Sequence, residues 1–162
     1  MKTVLFFRHA KSDWDAPYRG DHERPLAGRG RKAADTMGRW LAARGPVPDR
    51  ILCSTARRTV QTLMRAVTAG DWDSSVRFYR KLYGATPELL LETIREQPDH
   101  LSCVMLLGHQ PTLSMTVTLL SGQETGHFPT AAVACVQVPV HSWADAAFGA
   151  GRLLWLQRPR EL

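Results

Sequence analysis

Two histidines and at least two arginines follow apolar stretches of the sequence, where they could act together on a phosphate group. Arg8 and His9 come directly after one apolar run, the pair Arg57 and Arg58 follows a second, and His109 follows a third. A guanidinium stays ionised and can hold two phosphate oxygens at once, and a neutral imidazole is a competent nucleophile near pH 7. These residue types therefore indicate phosphoryl transfer through a histidine.

The chemistry of that transfer gives each type of side chain a task. A phosphate monoester carries nearly two negative charges, and its transition state spreads charge over three equatorial oxygens. One neutral imidazole can attack phosphorus without a metal ion, and a second, protonated imidazole can donate a hydrogen bond to an equatorial oxygen. We therefore expect no cofactor and no metal. Taken singly, each of these residues could also be a structural histidine or a solvated arginine.

Apolar runs alternate with helical patterns along the chain, which predicts an α/β fold. The predicted strands are residues 3–7, 50–53, 75–79, 103–107, 132–138 and 152–157. The predicted helices are residues 28–44, a segment after Ser54, a segment from Thr86 to before Pro98, and residues 111–121. In the second helix we expect Val60, Met64 and Val67 to form the buried side. The alternation favours a three-layer sandwich in which helices flank a mostly parallel central sheet.

This fold would bring the distant polar residues together. Open α/β sheets bind their ligands at the carboxyl ends of the parallel strands. Arg8 and His9 lie at the end of the first predicted strand, Ser54 at the end of the second, and His109 just beyond the strand of residues 103–107. We therefore expect these side chains, with one or both of Arg57 and Arg58, to converge on one edge of the sheet.

Length and composition fit one domain spanning residues 1–162. The chain has 162 residues, of which 44% are hydrophobic, which is enough for one compact core. No apolar run approaches the roughly 20 residues that a bilayer span requires, and the short apolar N-terminal stretch ends at Arg8, unlike a signal peptide. The three cysteines are odd in number and sit in apolar runs, which favours reduced thiols and a cytoplasmic location.

The charge pattern bears on possible partners. The net charge of +6 is compatible with binding to nucleic acid, to an anionic surface or to a phosphorylated substrate. The arginines are spread over helical segments and are not interleaved with stacking aromatic residues, so we expect neither nucleic acid nor membrane as a partner. No long apolar stripe requires a second subunit, and we expect a monomer.

Ordered motifs carry a resemblance to a known family. RHAKSDWD at residues 8–15 resembles the RHG-type signature of the histidine phosphatase superfamily. STARRTVQT at residues 54–62 is similar to its second-arginine motif, and the position of the arginine in that motif implies that Arg58, and not its neighbour Arg57, binds phosphate. LLGHQP at residues 106–111 resembles the segment that bears the second histidine. Three further segments look most like SixA-type phosphohistidine phosphatases: residues 23–34, 82–90 and 128–134. The resemblance covers most of the chain and implies a phosphoglycerate mutase-like fold.

The resemblance also implies roles for individual residues. His9 would attack phosphorus and be phosphorylated transiently, while Arg8, Arg58 and His109 would bind the phosphoryl oxygens. Residues outside this set are expected to contact the substrate, with surface or loop duties as the alternative: Lys11, Ser12, Arg24 and Glu88. Glu88 is the nearest candidate for an acid that protonates the leaving group, although its place in a first helical turn also suits the helix dipole.

Three classes of function remain open from the sequence. The favoured one is hydrolysis of phosphohistidine on a protein, or of a related phosphoramidate. The second is a phosphomonoesterase acting on a small phosphorylated substrate with the same nucleophile, and the third is a non-catalytic phosphate-binding module. A site without a strong acid favours P–N bonds, because a phosphohistidine releases imidazole, which leaves more readily than an alkoxide. Alanine at position 10, where the family usually has glycine, is a mild departure.

Overall fold

A six-stranded sheet forms the middle layer of the protein, whose computed structural model describes residues 1–162. The strands are β1 (Lys2–Arg8), β2 (Arg50–Ser54), β3 (Ser75–Tyr79), β4 (Cys103–Gly108), β5 (Val133–Val138) and β6 (Arg152–Gln157). Their order in the sheet is β3-β2-β4-β1-β5-β6. The first four strands in this order run parallel, whereas β5 is antiparallel to both β1 and β6. The prediction of a mostly parallel central sheet is confirmed.

Four helices cover the two faces of the sheet. They are α1 (Gly28–Arg44), α2 (Arg57–Gly70), α3 (Pro87–Arg95) and α4 (Thr112–Ser121). The apolar sides of α1 and α2 belong to one hydrophobic cluster, and those of α3 and α4 belong to another on the opposite face. The three-layer sandwich is therefore confirmed. None of these helices has the length and apolar character that crossing a bilayer requires.

The first strand shows how the two clusters are built. Successive side chains of a strand point to opposite faces. Val4 and Phe6 accordingly join the cluster with α3 and α4, and Leu5 and Phe7 join the one with α1 and α2. All four side chains are fully buried. The continuous apolar run in the sequence thus corresponds to a strand covered on both faces.

The predicted buried side of α2 is wrong in its centre, and of its three residues only Val67, which is half-buried, packs against the core. Met64 is 62% exposed, and the buried residues of this helix are Arg58, Thr59, Thr62, Leu63 and Ala66. Both threonines are accommodated because their hydroxyls donate to backbone carbonyls, from Thr59 to Ser54 and from Thr62 to Arg58. A buried hydroxyl is tolerated when it is hydrogen-bonded in this way.

Helices α1 and α2 approach each other closely at a glycine. A Cβ atom added to Gly38 would lie 2.3 Å from the carbonyl oxygen of Ala66. The indole nitrogen of Trp72, just beyond α2, donates to the carbonyl of Gly38 at 3.0 Å. The absence of a side chain at position 38 is therefore what allows the two backbones to pack.

Candidate functional site

The carboxyl ends of three parallel strands meet at one edge of the sheet. Strand β1 lies beside β4, with Arg8 in register with Gly108, and β4 lies beside β2. The backbone N–H of His9 donates to the carbonyl of Gly108 at 3.1 Å, which continues the pairing by one residue. Ser54 is the last residue of β2, and His109 comes directly after β4. Residues far apart in the sequence are thereby placed side by side.

These strand ends open into a cavity of about 510 Å³. Of the eight residues predicted for the site, seven line it: Arg8, His9, Lys11, Ser12, Arg24, Arg58 and His109. Glu88 is not brought to it. The remaining lining residues are Trp14, Asp21, Tyr83, Gly84, Gln110 and Thr130.

His9 is held as a neutral imidazole with a defined tautomer. Its Nδ1 atom lies 2.7 Å from the carbonyl oxygen of Ala10. Since a carbonyl only accepts, Nδ1 carries the proton and Nε2 keeps its lone pair. Burial lowers the pKa of His9 to about 3, and the positive charges of Arg58 and Arg8 act in the same direction. At neutral pH this side chain is thus an uncharged base.

His109 lies next to His9, with 5.4 Å between the ring centroids. Its Nε2 atom is 2.9 Å from the hydroxyl of Ser54. Burial lowers the pKa of His109 to about 4, and the positive charge of Arg58 contributes to this shift. The sequence predicts hydrogen-bond donation by a protonated second imidazole, whereas burial beside a cation keeps the ring of His109 neutral at pH 7.

The two central arginines each have a nitrogen that lacks a protein partner. The Nε atoms of Arg8 and Arg58 are the only buried side-chain nitrogen or oxygen atoms in the chain without one. Their other contacts fix the side chains: Arg8 donates to the carbonyl of Phe128 at 3.1 Å, and Arg58 donates to the backbone carbonyl of Asp21 at 2.8 Å. Leaving a buried donor unpaired is costly. Both side chains nevertheless line the cavity, where a guanidinium group can bind an anion.

Asp21 links several side chains of the cavity and was not predicted from the sequence. Its carboxylate accepts hydrogen bonds from Arg58 at 2.9 Å and from Tyr83 at 2.6 Å, and it also pairs with Arg24. These hydrogen bonds, Tyr83's first, hold the pKa of Asp21 well below its usual range, and the same contact raises the pKa of Tyr83. Asp21 is therefore ionised and balances two arginines.

Asp21 belongs to a loop, residues 13–25, whose two ends are joined. Ser12 pairs with Leu26 in an isolated β-bridge, and the N–H of Asp13 donates to the carbonyl of Pro25 at 2.8 Å. The loop also carries Arg24, which donates to the hydroxyl of Ser12 at 2.9 Å. We call residues 13–25 the closed loop.

Trp14, also in the closed loop, extends the cavity wall. The guanidinium carbon of Arg24 lies 3.5 Å from the centre of the Trp14 ring, which is a cation–π contact. Trp14 is 62% exposed. The exposed indole ring of Trp14 therefore offers an apolar surface to a substrate that enters the cavity.

Glu88 lies outside the cavity. It is exposed in the first turn of α3, two residues after the helix cap Thr86. The only carboxylate that lines the cavity is Asp21. No carboxyl group with a raised pKa is therefore available there to protonate a leaving group.

A smaller, mainly apolar cavity of about 260 Å³ adjoins the first one. The two share Gly84, His109 and Gln110, and leucines from α3, α4 and β4 form much of the second wall. No group of three or more His, Cys, Asp and Glu side chains is arranged to hold a metal ion.

Comparisons with known proteins agree with this geometry. Residues 4–82 match the sequence model of the histidine phosphatase superfamily (branch 1). An uncharacterized protein from Mycobacterium tuberculosis is 36% identical over 94% of this chain and 99% of its own length. A candidate phosphohistidine phosphatase SixA from Nakamurella multipartitia is 31% identical with a TM-score of 0.86, covering 98% of this chain and 96% of that one. A second, from Agrobacterium tumefaciens, is 29% identical with a TM-score of 0.83 and covers 98% of both chains.

Proposed function

Because this chain belongs to the histidine phosphatase superfamily and is of the SixA type, we propose that it hydrolyses phosphohistidine, on a protein or in a related phosphoramidate, through a phosphoenzyme formed on His9. The observation that carries the proposal is that Arg8, Arg58 and His109 line the same cavity as His9, whose imidazole is held neutral. A tetrahedral anion in this cavity would meet two guanidinium cations beside the nucleophile. The reaction needs no metal ion, because the nucleophile is a side chain.

The first step transfers the phosphoryl group to the enzyme. Nε2 of His9 has the free lone pair and attacks phosphorus, while Arg8, Arg58 and His109 bind the phosphoryl oxygens. As the new P–N bond forms, the P–N bond of the substrate breaks and the electron pair stays on the leaving nitrogen. When the other ring nitrogen of the substrate is protonated, the product leaves as a neutral imidazole. No acid from the protein is required.

The second step returns the phosphoryl group to water. A water molecule attacks the phosphorus on His9, the P–N bond breaks, and orthophosphate is released with the water's proton passed to phosphate or solvent. His9 leaves as a neutral imidazole because Nδ1 keeps its proton throughout, bonded to the carbonyl of Ala10 at 2.7 Å. Both steps thus use the same tautomer of one buried side chain.

His109 has a different part in this scheme. The pKa of His109 is lowered to about 4, and a bound phosphate dianion would raise it, because an opposite charge nearby favours the protonated form. Substrate binding and protonation of His109 are thereby coupled. The protonated ring then donates to a phosphoryl oxygen as charge accumulates there.

The absence of a strong acid supports a P–N substrate over a P–O substrate. An alkoxide leaving group needs a proton as the bond breaks, whereas imidazole does not. The only carboxylate in the cavity, Asp21, is ionised and paired with arginines. Replacing Glu88 with glutamine should therefore leave hydrolysis of both substrate types unchanged.

A small-molecule phosphomonoesterase is the second candidate. The apolar cavity next to His109 and Gln110 favours it, since an aryl or alkyl leaving group could occupy that space. An aryl phosphate has a stable leaving group and so also tolerates a site without an acid. We propose the phosphohistidine activity first because the structural likeness extends over nearly the whole of SixA-type chains.

The protein substrate and the compartment form part of the same proposal. The phosphorylated partner would be a phosphohistidine protein that reaches the open cavity with its imidazole phosphate. Cys53, Cys103 and Cys135 are free and buried, which suits a reducing compartment such as the cytoplasm. We propose that the chain acts there as a monomer.

The test is a comparison of His9→Ala with the unaltered protein on two substrates, a phosphohistidine protein and an aryl phosphate. We expect kcat/KM to fall by at least about a thousandfold in the variant, as for other lost nucleophiles, and an acid-labile, alkali-stable phosphoenzyme to be trapped only in the unaltered protein. His141→Ala, which removes an exposed histidine, is the control. Faster turnover of the aryl phosphate would favour the second candidate, and no turnover of either substrate would indicate a binding module.

A further inference from the structure

A groove rich in cations runs beside the catalytic cavity. It has a volume of about 360 Å³ and is lined by Lys11, Arg29, Arg160, Thr130, Pro129 and Pro159, with one alanine. Lys11 and Thr130 also line the catalytic cavity, so the two spaces adjoin. We call it the basic groove.

Three parts of the chain contribute its positive charges. Lys11 follows β1, Arg29 lies in the first turn of α1, and Arg160 lies in a 3-10 turn, Pro159–Glu161, near the C-terminus. The first turn of α1 rests on the backbone of Lys11: a Cβ atom added to Gly30 would be 2.1 Å from its carbonyl oxygen. This contact therefore fixes the spacing between the backbone positions of Lys11 and Arg29.

The three cations have no counter-charge in the protein. None of Lys11, Arg29 and Arg160 takes part in an ion pair, although five other cationic side chains of the chain do so with carboxylates. None of the three side chains makes a hydrogen bond within the protein, and no Asp or Glu lines the groove. Like charges placed together repel one another unless an anion is bound between them.

We propose that the basic groove binds a second anionic group, a carboxylate or a phosphate, carried by the same substrate molecule whose phosphoryl group occupies the catalytic cavity. This inference rests on the function proposed above and specifies the substrate class. In a phosphohistidine protein the second group is an acidic side chain near the modified histidine, and in a small molecule it is a second phosphate or carboxylate. Two linked contacts raise affinity because the second forms at a high effective concentration.

Binding of non-hydrolysable probes tests the groove independently of catalysis. Alkane bisphosphonates of increasing chain length are compared with methylphosphonate by calorimetry. We expect the best-fitting bisphosphonate to bind at least about tenfold more tightly than methylphosphonate, and Arg29→Gln combined with Arg160→Gln to remove that advantage. No advantage at any chain length would overturn the proposal.

A matched control separates local binding from a general effect of charge. Arg77→Gln combined with Arg152→Gln removes the same two positive charges from exposed positions that line no cavity. The control should keep the bisphosphonate advantage. Equal losses in both double variants would mean that the net charge of the protein, and not the groove, attracts the second anion.

Kinetics then identifies the source of the second anion. One pair of substrates is a phosphohistidine peptide flanked by glutamates and its glutamine counterpart; the other is a doubly and a singly phosphorylated alkanediol. A lower KM for the more anionic member of either pair, lost in the groove variant, supports the proposal and names the source. No KM difference in either pair overturns it. If no substrate is turned over, the proposed function fails, and the calorimetry still decides whether the groove binds an anion.

Discussion

Asp21 connects the charges of the cavity at the level of single side chains. Its carboxylate forms ion pairs with Arg58 and Arg24 and accepts a hydrogen bond from the hydroxyl of Tyr83. Arg58 is only 6% exposed, so it has little access to water as a substitute partner. The position of the guanidinium that faces the cavity therefore depends on a carboxylate from a loop distant in sequence.

Replacing Asp21 tests this dependence. We expect Asp21→Ala to lower kcat/KM by about tenfold or more, because a hydrogen bond to a charged group contributes about 1.5–3 kcal/mol and each 1.4 kcal/mol corresponds to roughly tenfold in rate. Asp21→Asn keeps an acceptor and should lose less. The control is Asp35→Ala, which breaks the Arg65 pair on the surface of α1 and α2. Steady-state kinetics of the three variants would contradict us if Asp35→Ala were the most impaired.

The two buried histidines make folding stability depend on pH. The pKa of His9 is lowered to about 3 and that of His109 to about 4, whereas a histidine in the unfolded chain titrates near 6.5. The unfolded state then binds more protons below pH 6.5, so stability is full above that pH and is lost as the pH falls toward the folded pKa values. From pH 7.5 to pH 5 each histidine contributes a loss of about 2 kcal/mol.

Urea unfolding at a series of pH values measures this effect. His109→Asn should flatten the loss of stability between pH 7.5 and pH 5, since one of the two titrating groups is gone. His141→Asn, at an exposed position, serves as the reference. An unchanged slope in the His109 variant would show that its imidazole is not kept neutral by burial.

Residue types and strand ends predicted the central side chains but not their partners. Arg8, His9 and His109 were found because apolar strands that end in polar residues are readable in a sequence. Asp21 and Tyr83 lie in loops without periodicity, and their pairing depends on how those loops fold. The only sequence signal for the ion pair between Asp21 and Arg24 is their spacing of three residues. Oppositely charged residues at this spacing are too common in sequences to identify a particular pair.

At the level of elements, hydrophobic pattern gave the right helices but the wrong face of α2. The pattern indicated Val60, Met64 and Val67, whereas the buried side includes Thr59 and Thr62. The hydroxyl of Thr62 accepts a hydrogen bond from the backbone N–H of Ala10 at 3.0 Å and so supports the segment after β1. A helix that serves a polar site turns polar residues inward, which a rule based on hydrophobicity cannot anticipate.

The contact between α1 and α2 leads to a prediction about stability. Gly38→Ala places a Cβ atom within 2.3 Å of the Ala66 carbonyl, so the helices must separate. We expect a loss of about 1–3 kcal/mol, as for other overpacked sites, measured by urea denaturation. Gly28→Ala in the same helix is the control, because its Cβ would meet only the Arg31 side chain, at 3.6 Å. Equal stability of the two variants would contradict the close approach.

The whole molecule buries its thiols in the core around the sheet. Cys53, Cys103 and Cys135 are each no more than 5% exposed, and burial raises the pKa of Cys53 to about 12 and that of Cys135 to about 11. Because the thiolate is the reactive form, we expect negligible reaction with an aromatic disulfide reagent in the folded protein and reaction of all three thiols in urea. A rapidly labelled thiol under native conditions would indicate that a strand of the sheet opens readily.

The three-layer arrangement itself was predictable because it follows from alternation. Strands buried on both faces and helices with one apolar side can only be covered by each other. The antiparallel placement of β5 and β6 was not predicted, since a buried strand has the same composition in either direction. Neither strand contributes to the meeting point of the parallel strands, which explains why the location of the site could be inferred without them.

The closed loop gathers three lining residues of the cavity on one segment whose ends are joined. The bridge between Ser12 and Leu26 holds those ends together, and Asp21 ties the segment to Arg58 in α2 and to Tyr83. Trp14, Asp21 and Arg24 therefore keep fixed positions relative to α2. A change in the length of this segment would alter the wall of the cavity and the support of Arg58 at the same time.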